Sequence, residues 1–274
     1  YNKDILDAAG VAYPDASWTW DNYLEAYRAT TDAEAGQWGT YIAHEFPYHW
    51  VWANGGEWMN ADLFGTKCLL NEEKALAALK YHHDLIYGAE PVAPPVGTMG
   101  TFGWSDVFSS GKIAFMESHS WTVTNYMRQN DFAWDFVDLP AAPGGSQAGL
   151  TFVNGYSSYA GTKNPDAAVE LMKFLTDPEQ ATTMCVGLLG LQPARRSMAD
   201  VWNTESEGAK GGYDVGAFTR IMDNARLIPI FKDDKQIQTE IYNPIRDQIW
   251  VTNEMGLEEG INLIVERIDE HFAA

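Results

Sequence analysis

Positive charge is scarce in this chain. Against 38 Asp and Glu it carries only 18 Lys and Arg, a formal net charge of -20 over 274 residues. A nucleic-acid partner is excluded on that ground, because such proteins need cationic patches to displace counterions. Adhesion to an anionic membrane surface is disfavoured for the same reason. Cysteine is also sparse: Cys68 and Cys185 stand far apart. A disulfide scaffold would be small and cysteine-dense, so two free, buried thiols are expected. No apolar run reaches the roughly 18 residues of a membrane-spanning helix. Phosphate-loop, dinucleotide and nucleophile-elbow glycine motifs are missing too, and no cofactor is expected. Neither a starting Met nor a signal-peptide apolar region is present. The opening "YNKDILDAAG" already reads as folded sequence, as in a processed or truncated chain.

Apolar residues, at 46%, are enough for a full-sized core. The pattern alternates strands with helices, which implies an α/β architecture. "SWTWDNYLEAYRATT" opens a helix capped by Thr19, with Trp20, Tyr23, Leu24 and Tyr27 on one stripe. "WGTYIAHEF" reads as a strand running into Pro47, and "YHWVWANGG" as a short helix stopped by a left-handed Gly55. "TKCLLNEEKALAALKYHHDLIYG" predicts a strand, then a helix capped by Asn71 and ended by Gly88. A Pro/Gly loop follows, then a buried strand in "GKIAFMES" and a helix in "TVTNYMRQN". "FVDLPAAPGGSQAGLTFVNGYSSYAG" is extended and turn-rich. "KNPDAAVELMKFLTDPEQATTMCVGLLG" predicts two helices. Asn164 and Pro165 start the first, with Ala168, Leu171, Met172 and Leu175 as its core stripe, and Asp177 heads a capping box for the second. "NTESEGAKGGYD" reads as a surface loop. The chain closes on an amphipathic helix bearing Leu257, Ile261, Ile264, Ile268 and Phe272.

Several chemistries fail on spacing. In "HEFPYH", His44 and His49 are five apart with Pro47 between them. On a helix they would point about 140° apart, whereas the zinc-protease motif needs i and i+4. His82-His83-Asp84 lies mid-helix, where neighbours point in different directions, and His82 reads as a packing residue. Carboxylate pairs for glycoside hydrolysis, such as Glu45 with Glu117, stay open, because 38 acids supply many pairs. The aromatics, 13% of the chain, survive this filter. Sugar rings present apolar C–H faces that Trp and Tyr can cover. Large aromatics also dominate ordinary cores, and most of these rings are expected there.

The order of the segments "YNKDILDAAG", "SWTWDNYLEAY", "WANGGEW", "SSGKIAFMESHSW", "TKNPDAAVELMKFLTDPEQA", "GLQPARRS" and "IYNPIRDQI" resembles the family 1 extracellular solute-binding proteins of bacterial ABC importers, the maltose-binding-protein-like group. The resemblance implies a two-lobe periplasmic-binding-protein-like fold of type II, with carbohydrate held in an interlobe cleft. It implies that the chain starts partway through that fold, lacking most of the first lobe. Residues 1–150 and 213–274 would form the second lobe, and 155–205 part of the first. The implied partners are a carbohydrate ligand and the permease subunits of an ABC transporter. The implied location is extracytoplasmic, periplasmic or lipid-anchored, with a monomeric full-length protein. No chemistry would be performed; the alternative from another class is a glycoside hydrolase using Glu45 and Glu117.

In α/β folds ligands collect at the C-terminal ends of strands. "YIAHEF" ends at Glu45 and Phe46, and "KIAFMES" ends near Glu117 and Trp121. The resemblance places Trp121 and Tyr242 at stacking positions and Glu45, Phe46 and Tyr48 along the same cleft. It places Arg195, in "QPARRS", at the cleft rim, where a guanidinium can donate to several hydroxyls. The chain reads His119-Ser120-Trp121 where that family often has Gly-Ser-Trp. Trp50 and Trp52, two apart, point about 200° from each other on a helix, so at most one can face a given cleft.

Overall fold

The computed structural model describes residues 1–43, 47–99 and 106–274. Helix α1, Lys3–Ala9, is capped by the Asn2 side chain, which accepts from the Ile5 N–H at 3.1 Å. Helix α2, Trp20–Thr30, begins at Thr19, whose backbone N–H donates to Asn22 Oδ1 at 2.9 Å. Its Trp20, Tyr23 and Tyr27 are buried. Strand β1, Trp38–Tyr41, approaches α2 so closely at Gly39 that a Cβ there would meet the Tyr27 backbone. Helix α3, Tyr48–Ala53, ends at Asn54, and Gly55 then turns left-handed with φ 73°. That conformation favours glycine.

Two readings in the next stretch are corrected. Residues 66–70 form no strand; Met59 and Cys68 make an isolated antiparallel bridge, and the chain then enters helix α4, Glu73–Tyr87. Glu72, not Asn71, occupies the cap position, and the Asn71 amide donates instead to Asn262 Oδ1 at 3.1 Å. Gly88 does end the helix, but with φ -69°, so its lack of a Cβ serves another need: a Cβ would crowd the Asp84 carbonyl at 2.5 Å. Strand β2, Ile113–Met116, pairs in parallel with β1, with Trp38 opposite Ile113 and Thr40 opposite Phe115. Ile113, Ala114 and Phe115 are all buried, as expected of a strand covered on both faces. Helix α5, Val123–Gln129, follows one turn of tighter helix at Ser120–Thr122.

Strand β3, Gly149–Leu150, belongs to the extended segment anticipated after residue 136. Helix α6, Pro165–Leu175, starts at Asn164 as expected, yet none of its residues is buried. Leu171 of the anticipated stripe is 56% exposed and Ala168, Met172 and Leu175 are only half-buried, so among the described residues no sheet lies beneath that stripe. Helix α7, Pro178–Ala181, is capped by Asp177 Oδ1 accepting from the Glu179 N–H at 3.0 Å, and a π-helical turn carries it on to Leu188.

The supposed surface loop at "NTESEGAKGGYD" is instead largely helical: α8, Ala199–Glu205, and α9, Glu207–Lys210. Polar composition hid two anchors, one flanking the stretch and one within it. Trp202 is buried and donates its Nε1–H to the Val215 carbonyl at 3.1 Å. Ser206 caps α9 by accepting from the Ala209 N–H. Helix α10, Gly216–Arg220, precedes strand β4, Ala225–Arg226, which pairs in parallel with β3. Helices α11, Asp234–Ile237, α12, Asn243–Trp250, and α13, Leu257–Ala273, complete the chain. Ile261, Ile264 and Ile268 of α13 are buried, with Leu257 and Phe272 partly covered.

The main core joins α2, α3, α4, α12 and α13 around packed aromatics, with Trp20 stacked on Tyr81 at 4.7 Å and tilted against Trp50 at 4.9 Å. A second cluster, including Phe108, Ile113, Tyr126 and Trp134, covers the far side of β2. A third joins Val186 and Trp202 to Val123 and Val215.

Two measurements check this arrangement. Cys68 and Cys185 are free thiols, and burial pushes the Cys68 thiol up to about 12. A thiol-specific reagent should therefore label Cys185 readily in the native protein and Cys68 only on unfolding, since the thiolate is the reactive form. Two thiols should titrate in denaturant without reductant, and a single disulfide would overturn the assignment. Hydrogen exchange should show weaker protection in α6 than in β2, because a helix without buried contacts opens locally. Equal protection in a monodisperse monomer would show that α6 has a packing partner within the chain.

Candidate functional site

The pairing of β2 with β1 delivers the chain to the candidate site. Immediately after Met116, Glu117 turns its carboxylate toward α3. Its Oε1 lies 3.0 Å from His49 Nε2, and its Oε2 accepts from the Trp50 Nε1–H at 3.3 Å. The short helix α3 thus places two neighbouring side chains on one carboxylate. Each carboxylate oxygen offers two lone-pair directions, so accepting capacity remains beyond these partners.

Two residues on, the chain is pinned again. The His119 carbonyl accepts from the Thr122 N–H at 3.1 Å and from Thr122 Oγ1 at 2.9 Å, which sets the single helical turn bearing Trp121. The Ser118 and Thr122 hydroxyls lie 2.6 Å apart, and Ser118 Oγ reaches the Tyr126 hydroxyl at 3.2 Å. On this base the His119 ring stacks on Trp121, with centroids 4.1 Å apart and planes 11° from parallel. Phe152, two residues beyond β3, stands edge-on to both rings at 5.5 and 5.4 Å. Its position is fixed by the ladder in which the Thr151 N–H donates to the Arg226 carbonyl at 3.0 Å. Trp121 is nevertheless 40% exposed. Burial and the nearby His49 push the His119 ring down to about 4, against the opposing pull of Glu117.

Beside this group, Arg226 lies over the Trp52 ring at 4.7 Å. It pairs with both oxygens of Glu57, at 3.0 and 2.8 Å, and with Asp62. The tryptophans of α3 therefore serve packing: Trp50 and Trp52 are both buried, one bound to Glu117 and the other beneath Arg226.

The sequence-predicted residues separate into three sets. Glu117 and Trp121 both follow β2, the first bonded to α3 and the second stacked on His119. Tyr48 and Tyr242 lie in the core: Tyr48 stacks on Trp58 at 4.0 Å, and Tyr242 meets the same ring edge-on at 5.7 Å. Both line a cavity of about 10 Å³, room for a water molecule and no ring. At 3% exposure Tyr242 has no ring face to offer a ligand in this conformation. Arg195 is exposed, and its Nε and Nη2 donate to the Thr176 carbonyl at 3.3 and 3.2 Å, closing off α6. Glu45 and Phe46 lie outside the described residues, as does His44. Sequence reasoning missed His49, His119 and Phe152. His49 was weighed only as a metal ligand, and His119 carried a visible signal, since a large ring stands where the resembling family often has glycine.

Residues 1–210 match the bacterial extracellular solute-binding protein family. The chain belongs to that family. A binding protein of Brucella abortus (strain 2308) is 24% identical over 248 residues, covering 86% of this chain and 56% of its own length. The chain thus spans about half the length of the curated relatives it matches. An ABC substrate-binding protein of Listeria monocytogenes, solved in complex with cycloalternan, superposes with a TM-score of 0.81 at 21% identity, over 100% of this chain and 68% of that one. An ABC transporter solute-binding protein of Thermotoga lettingae, bound with alpha-D-tagatose, gives 0.73 at 18% identity over 99% and 69%. At these identities the likeness is one of fold, and the fold is the α/β type II periplasmic-binding-protein fold.

Replacing Glu117 by Ala leaves the His49 ring and the Trp50 indole N–H without their acceptor. An unsatisfied buried donor costs about 1–3 kcal/mol. Urea unfolding of Glu117→Ala should show a loss in that range. Stability equal to the parent would mean that the carboxylate does not tie β2 to α3.

Proposed function

We propose that the protein is the substrate-binding component of an ABC importer, one that holds a sugar or oligosaccharide against Trp121 and hands it to a membrane permease. The observation that carries this reading is the indole of Trp121. It is backed on one face, flanked at its edge and still largely open, at the C-terminal end of a buried strand. An indole held in this way, by a parallel ring on one face and an edge-on ring beside it, offers a preset flat surface to the apolar face of a sugar. Glu117, alongside, supplies an acceptor for hydroxyl groups. Support also comes from the solved relatives of the same fold, whose bound molecules include cycloalternan and alpha-D-tagatose.

Within this reading residues 1–150 and 213–274 make one lobe, 155–205 contribute to the other, and the ligand lies between them. Closure is then a hinge motion stabilised by contacts from both lobes. The protein works outside the cytoplasm, in the periplasm or on a lipid anchor, and as a monomer. Glu117 acts in this reading as a hydrogen-bond acceptor held by His49 and Trp50, and no chemistry is assigned to it.

A thermal-shift screen over mono- and oligosaccharides tests the proposal, since a ligand that binds the native state raises its melting temperature. Chromatography of the same mixtures should show no cleavage products. Release of products would favour the glycoside hydrolase reading, and a flat screen would remove the sugar. Trp121→Ala should weaken saccharide binding by about 1–3 kcal/mol, in line with aromatic anchors at binding sites. Its circular dichroism should stay unchanged, because the side chain is half outside the core. Undiminished affinity by calorimetry would take Trp121 out of the site.

A further inference from the structure

We propose that His119 is a positioning residue, whose ring covers one face of Trp121 and so fixes the indole with its opposite face turned to the ligand. The inference rests on the reading that Trp121 meets the ligand. The geometry separates backing from mere crowding. His119 and Trp121 are nearly parallel at 4.1 Å, so one indole face is covered by imidazole. Phe152 is almost equidistant from both rings, at 5.5 and 5.4 Å, and near perpendicular to each, at 73° and 68°. A ring lying on the outer face of Trp121 would be much farther from His119 than from the indole. Phe152 therefore stands beside the stack and closes its edge. Among the described residues, the surface left open on Trp121 is the face away from His119.

The backbone gives the imidazole a fixed origin. Residue 119 is extended, with φ -127° and ψ 160°, and its carbonyl accepts both the Thr122 N–H and the Thr122 hydroxyl. Ring and indole thus leave a pinned segment two residues apart and meet face to face. A side chain without a ring at 119 would leave the covered indole face open, and an exposed tryptophan can then take other rotamers. Holding one rotamer before the ligand arrives removes an ordering cost from binding.

The charge state fits the role. Among the described residues the titratable groups acting on His119 are His49 from α3 and Glu117 from its own segment, while Trp121 and Phe152 carry no charge. With the ring held down to about 4, His119 is uncharged above about pH 5. The stack is therefore insensitive to pH across the neutral range.

Fluorine NMR of the full chain labelled with 5-fluorotryptophan tests the stack without a ligand, with the Trp121 line assigned by Trp121→Phe. His119→Ala should shift and broaden that line, and His119→Phe, which keeps a ring but cannot titrate, should restore a single narrow line. In the parent protein the line should show no inflection between pH 7.5 and 5.5. Calorimetry with maltotetraose and cycloalternan as probes then reads the consequence. His119→Ala should lose several-fold in affinity, and His119→Phe should stay within about twofold of the parent. An unaltered Trp121 line in His119→Ala, or an inflection near pH 6.5, overturns the backing role. So does equal impairment of the Ala and Phe variants. If Trp121→Ala binds both probes as the parent does, or the parent binds neither, the binding reading of Trp121 fails, while the fluorine spectra still decide the stack.

Discussion

Four residues of strand, Ile113–Met116, fix where the candidate site stands. Their pairing with Trp38–Tyr41 sets the register, and burial on both faces prevents a slip, since a shift by one residue would turn every side chain over. Glu117 leaves the strand at a point set by that register and meets α3 through His49 and Trp50. The segment that follows carries His119 and Trp121. The site therefore inherits its precision from the core. The Gly39 approach to α2 belongs to the same constraint, because β1 can lie where it does only without a side chain there.

Apolar surface is distributed unevenly along the chain. Rings in the first 140 residues mostly vanish into clusters, as Trp20, Trp50, Trp52, Trp58 and Trp134 do. Between residues 152 and 189 the opposite holds: Phe152, Tyr159, Leu171, Phe174 and Leu188 are all exposed. Isolated exposed apolar residues need no explanation, but such a concentration in one stretch does. The proposed closing cleft would account for it, because surface that meets a ligand or an opposing lobe cannot be buried beforehand. The open face of Trp121 and the unsupported stripe of α6 are two instances of this pattern.

Charge works in the same direction at longer range. A net charge of -20 keeps copies of the protein apart and leaves neutral polyhydroxyl ligands unaffected. Within the fold two arginines tie together segments distant in sequence. Arg220 binds the buried Asp138 at 2.6 Å, and Arg226 joins β4 to Glu57 and Asp62. Each guanidinium serves two carboxylates, which a planar fork of donors can do and an ammonium cannot match.

Much of this was legible in the residues. Helix α2 with its Thr19 start, β2, α5, the Asn164 start of α6 and the apolar face of α13 all followed from capping and periodicity, which are local. The order of recurrent segments pointed to the family. Where the sequence misled, burial was the missing quantity. "NTESEGAKGGYD" looked like a loop because its polarity is local, while the Trp202 contact with Val215 that makes it helical is not. Tyr242 and Trp121 are both aromatic residues at family-like positions, yet packing against Trp58 buries one and leaves the other open. The meeting of His119, Trp121 and Phe152 was beyond any reading of spacing, because Phe152 arrives by the pairing of β3 with β4. Sequence alone determined which aromatic residues were candidates for a ligand-facing surface. Only the tertiary structure decided which of them stay exposed, because burial is set by neighbours that come from elsewhere in the chain.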